Sequence, residues 1–186
     1  MKVTLAKTAG FCFGVQRAVD TVYRVLEEEH KKPVDEQRAI YTYGPIVHNE
    51  TVIQKLAAEG VQVLESEAEL ATLRDGIVII RAHGVPKHIY ELLEKQRVEA
   101  VDASCPFVQK IQRLVQQHTA AGEEVFVTGN PEHPEVIGIM GWAEGGISAI
   151  PDIETAEKLP NGEGRSVVLV SQTTFNIDKF KLIIDI

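Results

Sequence analysis

The sequence predicts an α/β protein of parallel sheets flanked by helices, on three observations. Apolar runs of strand length alternate with longer stretches that carry apolar residues at helical spacing. One run, Ile77-Val78-Ile79-Ile80, is apolar at every position, as expected of a strand covered on both faces. The polar residues with chemical capacity follow the predicted strands instead of lying within them.

Composition bounds what such a protein does. With 186 residues there is room for one large domain or two small ones. The 44% hydrophobic content is that of a globular protein, and no apolar run is long enough to cross a bilayer, so no membrane is expected. The first seven residues are too polar for a secretory signal. A net charge of −8 argues against general nucleic-acid binding. Two cysteines in specialised turns do not make a disulfide framework, which points to a reducing, cytoplasmic setting.

Taken in order, Val3 to Ala6 reads as a short strand, followed by the turn Ala9-Gly10-Phe11-Cys12-Phe13-Gly14. Gly10 and Gly14 give that turn backbone freedom around the sulfur. A helix is expected from about Val15, with Ala18, Val19, Val22 and Leu26 inward, ending before Pro33. Ile40 to Tyr43 is a strand, and a helix with Val52, Ile53 and Leu56 inward stops at Gly60. A strand at Val61 to Leu64, a short helix at Glu67 to Leu73 and the strand Ile77 to Ile80 follow. Then come a helix to about Arg97 and a strand at Glu99 to Asp102. Pro106 opens a helix that ends at Gly122, and Val125 to Val127 is a strand. Pro134 opens the next helix. A strand at Ser148 to Ile150, a helix at Asp152 to Lys158 and a strand at Val167 to Val170 complete the alternation, and a final helix starts near Asp178. The joint between two sets of strands is expected at residues 103 to 106.

A reactive or polar residue recurs between strand and helix at Cys12, His48, His83, Cys105, His133 and Thr173. The carboxyl edge of a parallel sheet is where ligands bind. A lone loop histidine is more often structural, but six such residues at one edge form a pattern. Three histidines near helix N-termini suit an anion, with Asn49 adding an amide. A thiol at a helix N-terminus is favoured as thiolate, the form that binds a metal or an iron–sulfur cluster. Glu135, two residues past His133, suits proton transfer with Thr173 as a hydroxyl relay, or simple stabilisation of the helix start. His30, His88 and His118 read as surface or half-buried residues. Zinc is the other metal that cysteine and histidine suggest, yet no Cys-x-x-Cys or His-x-x-x-His pair is present. Two readings other than an iron–sulfur protein stand at this point: a non-catalytic α/β protein that binds a phosphate-bearing anion, and a zinc-dependent hydrolase using both cysteines and a histidine.

Six motifs then occur in one order: Gly10-Phe11-Cys12-Phe13-Gly14-Val15, Val47-His48-Asn49, Ala82-His83-Gly84-Val85, Asp102-Ala103-Ser104-Cys105-Pro106, His133-Pro134-Glu135-Val136 and Gln172-Thr173-Thr174. Together they resemble the IspH/LytB family of 4-hydroxy-3-methylbut-2-enyl diphosphate reductases, from residue 1 to the end. The resemblance implies a three-lobed, trefoil-like α/β architecture around a [4Fe–4S] cluster. It also implies reductive dehydroxylation of (E)-4-hydroxy-3-methylbut-2-enyl diphosphate to isopentenyl and dimethylallyl diphosphates, the last step of the methylerythritol phosphate route. By the same resemblance Cys12 and Cys105 are cluster ligands. His48, His83 and His133 contact the substrate, Glu135 supplies the proton, and Thr173 assists at both tasks. A redox partner such as ferredoxin or flavodoxin is implied as electron donor. The family uses three cluster cysteines and this chain has two. The expectation is a first lobe over 1–104, with residues 1–7 pairing with a third lobe beyond residue 186. A second lobe over 105–186 is expected to be incomplete at its C-terminus, inside a helix. Such a chain alone is expected to show negligible reductase activity.

Overall fold

The structure, a computed structural model, describes residues 2–159 and 166–186. It contains two parallel sheets. The first comprises β1 (Ile40–Tyr43), β2 (Gln62–Leu64), β3 (Ile77–Ile80) and β4 (Glu99–Asp102) in the order β2-β1-β3-β4. The second comprises β5 (Glu124–Thr128), β6 (Ile147–Ile150) and β7 (Val167–Ser171) in the order β6-β5-β7. The helices are α1 (Phe13–His30), α2 (Glu50–Ala58), α3 (Glu67–Thr72), α4 (Lys87–Gln96), α5 (Pro106–Ala120), α6 (Pro134–Met140), α7 (Ile153–Glu157) and α8 (Ile177–Ile184). No helix among the described residues is long and apolar enough to cross a membrane.

β3 shows why the first sheet is sandwiched. All four of its side chains are buried, and they alternate between two apolar layers. Ile77 and Ile79 pack with the inward face of α1, including Ala18, Val22 and Leu26. Val78 and Ile80 pack with Ile89 and Leu93 of α4. Register is in step across the sheet: Thr42 pairs Ile79, and Ile79 pairs Val101. The strands therefore end together at Tyr43, Ile80 and Asp102, and their loops open on one edge. In the second sheet Val125 and Val127 pack with Val108, Val115 and Ile139. Local chemistry sets the helix starts. Asn49, Ser66, Asp152 and Asn176 each cap a helix through a side-chain oxygen.

The two sheets join through side chains that bond to loop backbone. Gln112 of α5 donates to the Val85 and Gly138 carbonyls, each at 3.3 Å, and Trp142 donates from Nε1 to the Val85 carbonyl at 2.9 Å. Gly138 of α6 lies against the backbone of Gly84, where an added Cβ would come within 3.3 Å of its carbonyl. Helix and loop thus meet backbone to backbone at the seam, which places His83 beside the start of α6.

Two expectations are corrected. Val3 to Ala6 forms no strand: Val3 and Leu5 are 80% and 84% exposed, and no strand pairs with them among the described residues. An apolar run becomes a strand only with a ladder partner. The first helix begins at Phe13, with Cys12 itself as N-cap, two residues before the expected start. The last helix spans Ile177–Ile184.

Candidate functional site

The carboxyl edges of the two sheets face a common region. His48 stands in the loop between β1 and α2, and His83 in the loop between β3 and α4. His133 is the N-cap of α6, following β5. The three rings form a row: His48 and His83 centroids are 4.9 Å apart, and His83 and His133 are 5.5 Å apart in an edge-on arrangement. The outer ring, His48, is exposed and the other two are half-buried.

His133 Nδ1 accepts the Glu135 backbone N–H at 3.1 Å, which puts the proton of the neutral ring on Nε2 and makes that nitrogen a donor. His83 has its pKa lowered to about 4, first by burial and then by the electrostatic influence of His48, Arg81 and His133. It is neutral near pH 7. Its Nδ1 is buried without a hydrogen-bond partner. A buried polar atom without a partner costs free energy that a bound ligand recovers.

Glu135 completes the row on the side of the second sheet. It is 2% exposed and follows Pro134 in the first turn of α6. One carboxylate oxygen accepts the Thr173 backbone N–H at 2.6 Å, and the other accepts the Thr173 hydroxyl at 2.8 Å. Thr173 lies in the turn after β7, whose neighbour Gln172 is also buried and donates to the Thr174 hydroxyl at 2.9 Å. The pair has a buried acid and a half-way hydroxyl, the parts of a short proton path.

The cysteines stand on the other flank. Cys12 caps α1 and is exposed; Cys105 caps α5, with Pro106 at the first helical position, and is half-buried. Neither cap makes a side-chain hydrogen bond, and both thiols are free of a disulfide. Gly14 explains how they approach. Its residue type is required by space and not, as the sequence suggests, by backbone freedom: it is helical, and a Cβ there would sit 2.6 Å from Cys105 Sγ. Gly10, with φ of 152°, does use the freedom expected of it. Cys105 in turn donates its backbone N–H to the Ala82 carbonyl at 2.9 Å, next to His83. Free thiols on a floor cleared by a glycine are soft donors suited to iron–sulfur ligation. No group of three or more His, Cys, Asp or Glu side chains among the described residues is arranged to hold a metal ion.

The structure thus gathers His48, His83, His133, Glu135, Thr173 and Cys105 into one contiguous region, with Cys12 at the start of the helix that touches Cys105. Asn49 is committed differently: its side-chain oxygen caps α2 by accepting from Val52 N at 3.1 Å. His30 and His88 are exposed. His118 is half-buried and paired with Glu123, on α5 and away from the row. Two cations escaped the sequence reading. Arg17 donates to the Ser104 carbonyl at 2.7 Å. Arg81 is half-buried, its Nε has no partner, and its guanidinium lies over Gly44, whose φ of 67° and lack of Cβ admit it. Burial pushes the Arg81 pKa down. An arginine directly before Ala82-His83 was the one available signal for the second; Arg17 gave none beyond lying one turn past Cys12.

Comparison with known proteins identifies the family and the fold. The family model described as LytB protein matches residues 3–186. The 4-hydroxy-3-methylbut-2-enyl diphosphate reductase of Alkaliphilus oremlandii is 39% identical over 95% of this chain and 59% of its own length. That of Thermoanaerobacter sp. strain X514 is 41% identical over the whole chain and 62% of its own length. The chain therefore spans about three fifths of the length of these relatives. Among solved structures, the E-1-hydroxy-2-methyl-but-2-enyl-4-diphosphate reductase from Plasmodium falciparum superposes with a TM-score of 0.84 at 30% identity, covering 96% of this chain and 54% of that one. A structure of (E)-4-hydroxy-3-methyl-but-2-enyl diphosphate reductase, described as the terminal enzyme of the non-mevalonate pathway, gives 0.79 at 35% identity, covering 98% and 62%. With a family match across nearly its full length and the same fold beneath its six motifs, this chain belongs to the LytB family.

Proposed function

We propose that this chain carries the substrate-binding and proton-transfer face of a 4-hydroxy-3-methylbut-2-enyl diphosphate reductase, and that Cys12 and Cys105 supply two ligands of its [4Fe–4S] cluster. The observation that carries the reading is the row of three histidines, with an unpartnered buried nitrogen on His83, which ends beside the Glu135–Thr173 pair and whose middle member follows Ala82, the acceptor of the Cys105 N–H. When bound, the cluster supplies the electrons and a Lewis-acidic iron. The remaining chemistry falls to side chains. His133 offers an Nε2–H donor to an anionic oxygen. His83, neutral and aligned between two other rings, donates without carrying a full charge into a site that must also release its product. Glu135 is too buried to reach bulk water, so its proton leaves through the Thr173 hydroxyl, which can accept from the acid while donating to the departing oxygen. The substrate's C–O bond breaks, the hydroxyl departs as water, and two electrons with a second proton complete isopentenyl or dimethylallyl diphosphate. The electron donor in this reading is a one-electron carrier such as ferredoxin or flavodoxin, in a reducing cytoplasm that the two unbridged thiols suit.

The test uses pyrophosphate as the probe. It should raise the melting temperature of the chain in proportion to its concentration. His83→Ala should weaken that protection, and His118→Ala should leave it intact. Equal effects from both variants would refute the assigned edge. Anaerobic reconstitution separates the metal chemistry: iron with sulfide supports the reading, and zinc alone opposes it.

A further inference from the structure

The peptide unit between Ser104 and Cys105 is held from two opposite sides. Its carbonyl accepts from Arg17 Nη1 at 2.7 Å, and its N–H donates to the Ala82 carbonyl at 2.9 Å. Arg17 belongs to α1, the helix that Cys12 caps; Ala82 belongs to the loop that carries His83. This one peptide plane is therefore strung between the Cys12 helix and the histidine row. A third tie steadies it from within its own turn. Asp102 accepts the Ser104 N–H at one carboxylate oxygen and Gln109 Nε2 at the other, both at 2.8 Å. The Arg17 bond reaches across 87 residues of sequence, and Arg17 is half-buried in making it. One turn earlier on the same face of α1, Gly14 leaves just enough room for Cys105 Sγ.

We infer that Arg17 is a positioning residue that sets the separation of Cys12 and Cys105, so that the two thiols act together as one bidentate ligand. The inference rests on the proposed role of both cysteines as metal-binding thiols. Two helix N-termini, each bearing a thiol, have no covalent link between them. A charged guanidinium on one and a backbone carbonyl on the other give a directed bond of fixed length. Without it, α1 is free to slide on Gly14, the effective concentration of one thiol at the other falls, and chelation weakens although each thiol keeps its own reactivity.

The experiment measures chelation of phenylarsine oxide, a trivalent arsenical that bridges two thiols, by the metal-free chain. One arsenical per chain, with both thiols consumed, is expected. Arg17→Met keeps the aliphatic stem and removes the donors. It should weaken chelation roughly tenfold or more, while alkylation of each thiol by iodoacetamide proceeds at the parent rate. Arg17→Lys should restore part of the loss. Arg24→Ala, an exposed arginine on the same helix paired only with Glu28, should change nothing. Chelation by Arg17→Met equal to the parent's would overturn the role of Arg17 with the cysteine assignment intact. Two arsenicals per parent chain, or unchanged affinity in Cys12→Ser and Cys105→Ser, would show that the thiols do not converge and would overturn both. Faster alkylation of both thiols in Arg17→Met, together with a lost melting transition, would make Arg17 a folding residue and overturn the positioning role.

Discussion

Among the described residues two carboxylates are almost completely buried, and they are buried for different reasons. Glu29 lies at the amino end of the first sheet, 3% exposed, among cations: Lys32 Nζ at 2.5 Å, Arg38 Nη2 at 3.1 Å and the Arg38 backbone N–H at 2.9 Å. Arg38 also bridges to Glu99, the first residue of β4, at 2.6 Å. The Lys32 hydrogen bond, with Arg38 behind it, overcomes burial and holds the Glu29 carboxyl down at about 2. Glu135 lies at the carboxyl end of the second sheet, 2% exposed, and among the described residues its carboxylate accepts from the Thr173 N–H and hydroxyl. A cation locks a carboxylate in its charged form, whereas a hydroxyl can turn and accept a proton from it. The comparison teaches that burial alone does not mark a reactive acid; the identity of the partners does.

The comparison breaks most sharply on paired amide substitutions. Glu135→Gln preserves shape and keeps both Thr173 contacts. In a reductase of full family length it should lower turnover on the order of 10²-fold or more with the melting temperature nearly unchanged. Near-normal turnover would move the proton elsewhere. Glu29→Gln should do the reverse. It strands two cations on one neutral acceptor and should cost about 2 kcal/mol, a fall in Tm of about 4–8 °C, with turnover per folded molecule unaltered. A loss of activity without a loss of stability in that variant would erase the distinction.

Smaller effects sharpen it. His83→Ala should weaken pyrophosphate protection about tenfold, since the buried nitrogen that a ligand would satisfy is gone. Thr173→Val, which alters the proton path and not the row of rings, should weaken it far less; melting curves across pyrophosphate concentrations read both. Acid titration then separates the two ends of the molecule. His83 binds its proton more weakly when folded than when unfolded. The unfolded chain takes up that proton first, and stability falls as pH drops from about 6.5 to about 4. Glu29 contributes stability that is full above about 4.5 and lost as pH falls towards about 2. His83→Asn should flatten the upper limb alone and Glu29→Gln the lower limb alone, as followed by urea unfolding at each pH.

How much of this was legible beforehand follows from how local each cause is. The four isoleucine and valine side chains of β3 announce a doubly covered strand because burial on both faces leaves no polar position. Pro106 and Pro134 mark their helix starts because the ring disfavours any place but the first turn. The six edge residues were legible as a set because parallel strands deliver their loops to one side. Val3 to Ala6 misled because an apolar pattern says nothing about whether a partner strand is present. Gly14 was read for its backbone and is needed for its missing Cβ, a contact with a residue 91 positions away. Arg17 and Glu29 were overlooked for the same reason in kind: an arginine or a glutamate on a helix looks solvated until the fold brings a carbonyl or a pair of cations against it.

The His133 cap has a mechanical consequence. Because Nδ1 holds the Glu135 backbone N–H, the ring and the first turn of α6 are geared together. A ligand that pulls on Nε2 and swings the ring must either carry the start of the helix with it or release the cap, at a cost of about 1 kcal/mol. The first course drags the Glu135 carboxylate and, through two hydrogen bonds, the Thr173 turn in the same direction. On the proposed reading, occupancy at the histidine row would be converted into displacement at Glu135, so a contact made to bind an anion would also shift the reach of the carboxylate.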